Sequence, residues 1–588
     1  MRETNQGAKS SGTLASPLRP LRAWTDPHWV VLLAVPWLVL AMDSTWIYTP
    51  AGTIDPWVYN GFFRNLRQHL ADYFPGTYYG SRLPWILPGF AAYSLFPDLT
   101  ANFVLHLSCF YAALLSLYVT LKHTVGREAA LFASLLFGSH SYFLRAIGWD
   151  YVDGAGITYY LVTCAALTKA ATGRRHHVWL GLAGVAAGAM FYTYTLLGVL
   201  ALPLLGYCWI TARTHTAVTP PVRLTTFAGY FGAGLLVVTL VGGLASWQLT
   251  GDPWFYAPSL RFSISHAHSY AVAGSVNPHK MQGWAWLGWS TWLILPVATL
   301  PGALWTVIQL GRKGRPKGRD LFATFFAGNL LWVWFIELTL QLRGLPELQY
   351  WFKVSRLLPP TYLFLGCYVG MLLRRANTRQ VQVMLISTMG AFLLLLSPFV
   401  PNSYQVRSVH PVVIVGVLAG SLGTCLPLAL RDPRTRVGVL MSGLWLACYC
   451  AGRPWLSNAT MAGRSFERIT RSSEAVRRAS RVLGRPRFWY DARAPRFGRE
   501  FTSVASTYLW AFSLVNTRFP SLEDTPLDQL HPGQFVVILS EHTDALRAGR
   551  ESFQAMDLSL SSMGVKAVCE GTDCFFLTFC QVAARGVR

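Results

Sequence analysis

The sequence predicts a polytopic α-helical membrane protein of about 13 transmembrane helices, with a small α/β domain outside the membrane at its C-terminal end. Three observations carry that expectation. The chain is 52% hydrophobic and only 13% charged, about half the charged share of ordinary soluble domains. Apolar runs of about 17–25 residues, enough to cross a bilayer as helices, recur through the first 454 residues. Beyond residue 455 these runs stop, and an Arg-rich stretch with mixed helix and strand patterns begins.

Taken in order, residues 1–26 are polar, with Arg2, Lys9, Arg19 and Arg22, and read as a disordered cytoplasmic tail. No cleavable signal pattern precedes the first apolar run near Trp29. The candidate spans lie near 28–44, 99–121, 128–145, 154–171, 177–192, 195–211, 226–247, 284–310, 320–340, 357–373, 380–398, 410–430 and 437–454. Together they make a membrane domain over 27–454. The fifth and sixth meet at Phe191–Thr195, FYTYT.

Charge sets the orientation. With the N-terminus cytoplasmic, the inner segments hold 22 Lys and Arg, including GRKGRPKGR at 311–319, against ten in the outer loops. Positive charge lies inside. The net charge of +23 is therefore read as topology, and nucleic acid is not an expected partner. An odd number of spans places residues 455–588 outside, in a multi-pass protein of the inner or plasma membrane.

That last segment predicts helices near 464–483 and 500–517 and strands at 486–490, 534–540, 565–570 and 574–580. CEGTDC at 569–574 reads as a hairpin whose Cys569 and Cys574 can pair in an oxidising compartment. No metal-finger spacing occurs among the ten cysteines.

Chemistry points to the outer loops. The first, 45–98, contains TIDPWVY, with Asp55 beside Trp57 and Tyr59, then a short interfacial helix starting near Pro56. Phe62, Phe63, Leu66 and Leu70 form its apolar side. A carboxylate just outside a span is costly unless it stays wet, pairs or reacts. YYGSRLPWILP at 78–88 follows, and its Arg82 can pair with phosphate. The second outer loop, AIGWDYVDGAG, sets Asp150 and Asp153 three apart, on one face if helical. The competing reading makes Asp153 a cap of the helix starting at Gly154. His266 and His268, in the loop 248–283, are sugar-contacting or loop residues, with no clear third ligand for a metal. Glu337 closes the ninth span and faces the same side.

These motifs, with the late YWFKVSRLLPP at 350–360, resemble the GT-C-type glycosyltransferases, in the aminoarabinose-transferase and protein O-mannosyltransferase branch. The resemblance implies a sugar transferred from a polyprenyl-phosphate donor to an acceptor hydroxyl at the outer membrane face. By that resemblance Asp55 is the catalytic base, and Asp150 or Asp153 is the second acidic residue. Arg82, Lys353 and Arg356 hold the donor phosphate. Where the family often has Lys before Pro-Pro, this chain has Arg82-Leu83-Pro84. Trp57, Tyr59, His266, His268 and Glu337 are the expected substrate contacts. The acceptor is a lipid, a glycan or a protein. No cofactor is certain, and metal dependence is open because branches of the class differ. A single displacement predicts inversion at the anomeric carbon. The alternative is a lipid or polysaccharide transporter or assembly protein that uses the carboxylates without covalent chemistry.

Overall fold

A computed structural model describes residues 27–42, 47–49, 54–73, 76–138, 140–148, 151–172, 175–213, 224–261, 294–312, 319–342, 354–375, 487–490, 533, 535–540, 558–570 and 573–584. Its helices, in chain order, are α1 (Pro27–Met42), α2 (Ile54–Arg64), α3 (Leu66–Gln68), α4 (Leu83–Leu95), α5 (Asp98–Thr124), α6 (Arg127–Gly138) and α7 (Ser141–Gly148). They continue with α8 (Val152–Thr172), α9 (His176–Thr193), α10 (Ala201–Arg213), α11 (Leu224–Thr250), α12 (Ile294–Arg312), α13 (Arg319–Leu342) and α14 (Val354–Arg375). One continuous apolar core runs from Leu32 on α1 to Met371 on α14. α8 packs on α5 and α9, α9 on α11, and α13 on α14.

Among the described residues, α5 and α11 are long and apolar enough to cross a membrane, and α6 with α7 makes a third if the bent pair is one span. The protein is therefore a polytopic helical membrane protein. α11 shows the signature of a lipid-facing element. Leu236, Val237, Leu240, Val241, Leu244 and Trp247 are all at least half exposed along one stripe, an arrangement a soluble monomer rarely tolerates. Among the described residues, fewer helices pass on length and apolarity than spans were expected there. α8 shows why: it is almost wholly buried and carries Asp153, Thr158, Thr163, Thr168 and Lys169, so protein rather than lipid surrounds it. The expected spans 380–398, 410–430 and 437–454 lie outside the described residues, as do the tail 1–26 and the helical patterns at 464–483 and 500–517.

The expected third span, 128–145, is bent rather than straight. Its chain breaks after Gly138 and bends by 58° between α6 and α7. His140 caps the new start: its ring accepts from the Tyr142 N–H at 3.2 Å. The fifth and sixth spans are also separated by more than a loop. α9 stops at Thr193, Tyr194 is extended (φ −146°, ψ 88°) and a 3-10 turn covers Thr195–Leu200. Thr193, Tyr194 and Thr195 are β-branched or aromatic, which lowers helix preference at this point.

Two devices bring the helices close. α9 and α11 touch through glycine, since a methyl group at Gly184 would collide with the Phe231 carbonyl and one at Gly234 with the Gly181 carbonyl. Small residues allow this close approach of backbones in a membrane. Pro88 inside α4 lacks the N–H that would bond back to the Pro84 carbonyl. The Tyr159 hydroxyl of α8 fills that need, donating to Pro84 O at 2.7 Å. A proline defect in one helix thus becomes a link to its neighbour.

The first outer loop is buried in protein rather than laid along an interface. Phe62, Phe63, Leu66 and Leu70 join the core, and the helix breaks at Asn65 before α3 and a π turn at His69–Tyr73. A dry polar network explains the placement. Tyr93 donates to Asn60 Oδ1 at 2.5 Å, while Asn102 Nδ2 donates to Thr49 Oγ1 at 2.9 Å and to Tyr93 Oη at 3.2 Å. Asn102 Oδ1 accepts from the Thr49 N–H at 3.3 Å. Beside it, Arg64 and Asp98 form an ion pair at 2.5 Å. These bonds tie α2 and the preceding Thr49 to α4 and α5.

Near the C-terminal end, strands β1 (Arg487–Tyr490), β2 (Phe535–Ser540), β3 (Leu558–Glu570) and β4 (Asp573–Ala584) form one sheet in the order β1-β2-β4-β3. β1 and β2 are parallel, and the other pairs antiparallel. β3 and β4 pair as far as Glu570 and Asp573, and their register sets Cys569 opposite Cys574.

Candidate active site

Arg82 occupies the N-cap of α4, with Pro84 in the first turn, where proline fits because the first N–H groups have no helical partner. Its guanidinium is buried and donates from Nη1 to the Tyr59 hydroxyl at 2.6 Å. It also lies against four aromatic rings: Tyr78 (4.9 Å to the centroid), Tyr151 (5.2 Å), Tyr59 (5.9 Å) and Tyr194 (6.0 Å). Ring faces stabilise a cation that burial would otherwise penalise. Burial likewise holds the Tyr59 phenol well above its ordinary pKa, despite Arg82 beside it, so that hydroxyl stays protonated. A cation at the positive end of a helix is unfavourable by itself and prepares the place for an anion. Arg82 Nε is buried without a hydrogen-bond partner.

A second arginine approaches from the opposite part of the chain. Arg356 sits in the first turn of α14, ahead of Pro359 and Pro360, which lack the N–H groups that would bond back to Ser355 and Arg356. Its Nη1 donates to Glu337 Oε1 of α13 at 2.8 Å, with side-chain exposures of 6% and 1%. Each partner keeps a spare buried atom: Arg356 Nε and Glu337 Oε2 make no hydrogen bond. Glu337, expected as a sugar contact, is here the counter-charge of Arg356.

Asp153 lies in the first turn of α8, which begins at Val152, so it does not cap a helix starting at Gly154. It is 4% exposed, and its Oδ1 has no partner. Near these groups lies Tyr194. Its hydroxyl is within electrostatic reach of Asp153, Tyr151, Arg356 and Tyr142, and its ring faces Arg82. Gly156 packs beside it: a methyl group there would make ordinary contact with the Tyr194 side chain at 3.6 Å and collide with Leu197. Three of the residues expected from sequence, Arg82, Asp153 and Arg356, thus lie near a tyrosine that was not singled out, and Glu337 is joined to them through Arg356.

Asp55 lies in the first turn of α2, one helical turn before Tyr59, the residue that holds Arg82; its side chain lies outside the described residues. Trp57 is fully buried, so a sugar reaches its ring only after rearrangement. Asp150, Lys353, His266 and His268 lie outside the described residues. Among the described residues, no group of three or more His, Cys, Asp and Glu side chains is placed to hold a metal ion.

Residues 83–252 match the family model described as dolichyl-phosphate-mannose-protein mannosyltransferase. The match spans less than a third of the chain. The matched segment contains Asp150, Asp153 and Tyr194, while Asp55, Arg82, Glu337 and Arg356 lie outside it. The chain is similar to the crystal structure of ArnT from Cupriavidus metallidurans in the apo state, at 16% identity and a TM-score of 0.47, over 95% of this chain and 98% of that one. The same protein bound to undecaprenyl phosphate gives 16% identity and a TM-score of 0.46, over 94% and 98%. The Archaeoglobus fulgidus oligosaccharyltransferase in complex with Zn and sulfate gives 10% and 0.41, over 83% of this chain and 62% of that one. No curated protein matches the sequence.

Proposed function

We propose that this protein moves a sugar from a polyprenyl-phosphate donor to an acceptor hydroxyl at the outer face of the membrane, with Asp55 as general base and inversion at the anomeric carbon. The observation that carries this reading is the pair of buried arginines, Arg82 and Arg356, each with an unpartnered Nε, both near Tyr194. Breaking the donor's sugar–phosphate bond develops negative charge on the departing polyprenyl phosphate. Fixed guanidinium groups in a poorly hydrated site stabilise that charge without reorganising. The acceptor hydroxyl loses a proton as it attacks, and a carboxylate within hydrogen-bond reach takes it. Asp55 supplies that carboxylate, and Asp153, with its free Oδ1, orients the sugar or the acceptor.

In this reading Lys353 joins the arginines at the phosphate, and His266 and His268 contact the sugar. The N-terminus lies in the cytoplasm of a cell with this protein in its inner or plasma membrane. Residues 27–454 form the catalytic membrane domain, and residues 455–588 form an external α/β domain that covers the site or recognises the acceptor.

The test replaces Asp55 by Asn in the full-length protein and follows sugar loss from donor lipids by mass spectrometry. Asp55→Asn should express and fold as wild type and lose transfer by about 100-fold or more, the usual worth of a positioned base. An Asp55→Asn enzyme with full activity removes the assignment.

A further inference from the structure

We infer that Tyr194 is a third ligand of the donor phosphate, its hydroxyl donating a hydrogen bond to the oxygen held between Arg82 and Arg356. The inference rests on the reading of those two arginines as the phosphate site. It comes from a different observation: Tyr194 is 1% exposed and its hydroxyl makes no hydrogen bond. A buried hydroxyl without a partner is destabilising, and such a group in a folded protein calls for an explanation.

The surroundings say what the partner is. The ring lies 6.0 Å from the Arg82 guanidinium carbon. The phenol is within the fields of Arg356 and of Asp153. A ligand between the two arginines carries negative charge, so the protonated phenol serves as a donor to it. The alternative partner, the Asp153 carboxylate, has an Oδ1 that is itself unbonded, so the two groups are near each other without pairing. Both are left open toward a third species.

The local backbone is shaped for this. Tyr194 is the single extended residue between α9 and the 3-10 turn. It receives the last rung of α9 through its N–H, at 2.9 Å from Met190 O, and its carbonyl accepts the Leu197 N–H at 2.9 Å. Both backbone groups are thus satisfied, and the side chain alone is not. A continuous helix through 177–211 would carry this ring on a regular spiral; the break turns it inward against Gly156 of α8.

The experiment uses purified full-length protein in detergent, with undecaprenyl phosphate as the probe and undecaprenol, which lacks the phosphate, as the control. Affinities are read for wild type, Tyr194→Phe and Arg82→Ala, together with the melting temperature of each without lipid. Tyr194→Phe should bind undecaprenyl phosphate about 10- to 100-fold more weakly, the worth of one hydrogen bond to a charged group. Its binding of undecaprenol and its lipid-free melting temperature should not fall. If Tyr194→Phe binds the phosphate lipid as wild type does while Arg82→Ala is weakened, the phosphate site stands and the role of Tyr194 is wrong. A lower melting temperature of lipid-free Tyr194→Phe overturns it too, because the hydroxyl then has a partner within the protein. If wild type shows no preference for undecaprenyl phosphate over undecaprenol, or Arg82→Ala is indifferent, the arginine reading itself fails.

Discussion

Removing Glu337 should unbalance the protein more than any surface charge change. Its Oε1 meets Arg356 Nη1 at 2.8 Å, with 1% and 6% of the side chains exposed. Solvent screening is therefore slight, and the range for exposed pairs, about 0–1 kcal/mol, does not apply. Glu337→Ala leaves a guanidinium buried without its counter-charge, a change that costs about 3–5 kcal/mol. Arg64 and Asp98 give the internal comparison: their 2.5 Å pair is 12% and 21% exposed, so its loss should cost less. The measurement is thermal unfolding followed by tryptophan fluorescence, for which the chain carries 23 tryptophans. Glu337→Ala should melt several degrees lower. The double variant Glu337→Met/Arg356→Met removes both charges and should recover most of that loss, while transfer stays abolished because the phosphate ligand is gone. A single variant as stable as wild type, or a double variant no better than the single, would refute the reasoning.

Two further outcomes follow from the packing and the sheet. Gly184→Leu forces a side chain into the Phe231 carbonyl across the α9–α11 contact; overpacking of this kind costs about 1–3 kcal/mol or more, and Gly232→Leu, where nothing lies within 4 Å, should be nearly neutral in the same melting assay. Cys569 and Cys574 face each other across the β3–β4 hairpin, so if this end of the chain lies outside the cytoplasm, peptide mapping without reductant should find them joined, and two free thiols there would place it on the reducing side.

The site was legible where a charge had no business in an apolar setting. Arg82 before Leu-Pro, Asp153 at the mouth of a span, Glu337 within one and Arg356 before two prolines each stood out by the cost of burying them. Sequence position alone did not reveal that Glu337 and Arg356 satisfy each other, because that pairing spans two helices. Tyr194 was invisible for the opposite reason. One tyrosine in FYTYT, within a chain that has 25, carries no electrostatic signal. The junction itself was the available hint, since a span boundary rich in Thr and Tyr marks backbone that leaves the helix. The bend in the span at 128–145 was hidden on a similar point: its hydrophobicity is continuous, and hydrophobicity does not report a helix break at Gly138. The strands β1 to β4 fall on the apolar runs near 486–490, 534–540, 565–570 and 574–580, although β3 begins earlier, at Leu558, through Leu-Ser-Leu-Ser, an alternation of only four residues.

The hydrogen-bonded knot of Thr49, Asn60, Tyr93 and Asn102 has a kinetic corollary. It fastens the helix bearing Asp55 to the long α5, so neither can swing without breaking several interior bonds at once. On the proposed chemistry the base is then a stationary anvil, and it is the reactants that travel. Turnover would be paced by how quickly a fresh lipid slides into register and the spent one drifts out, leaving little for a hinge beneath Asp55 to govern.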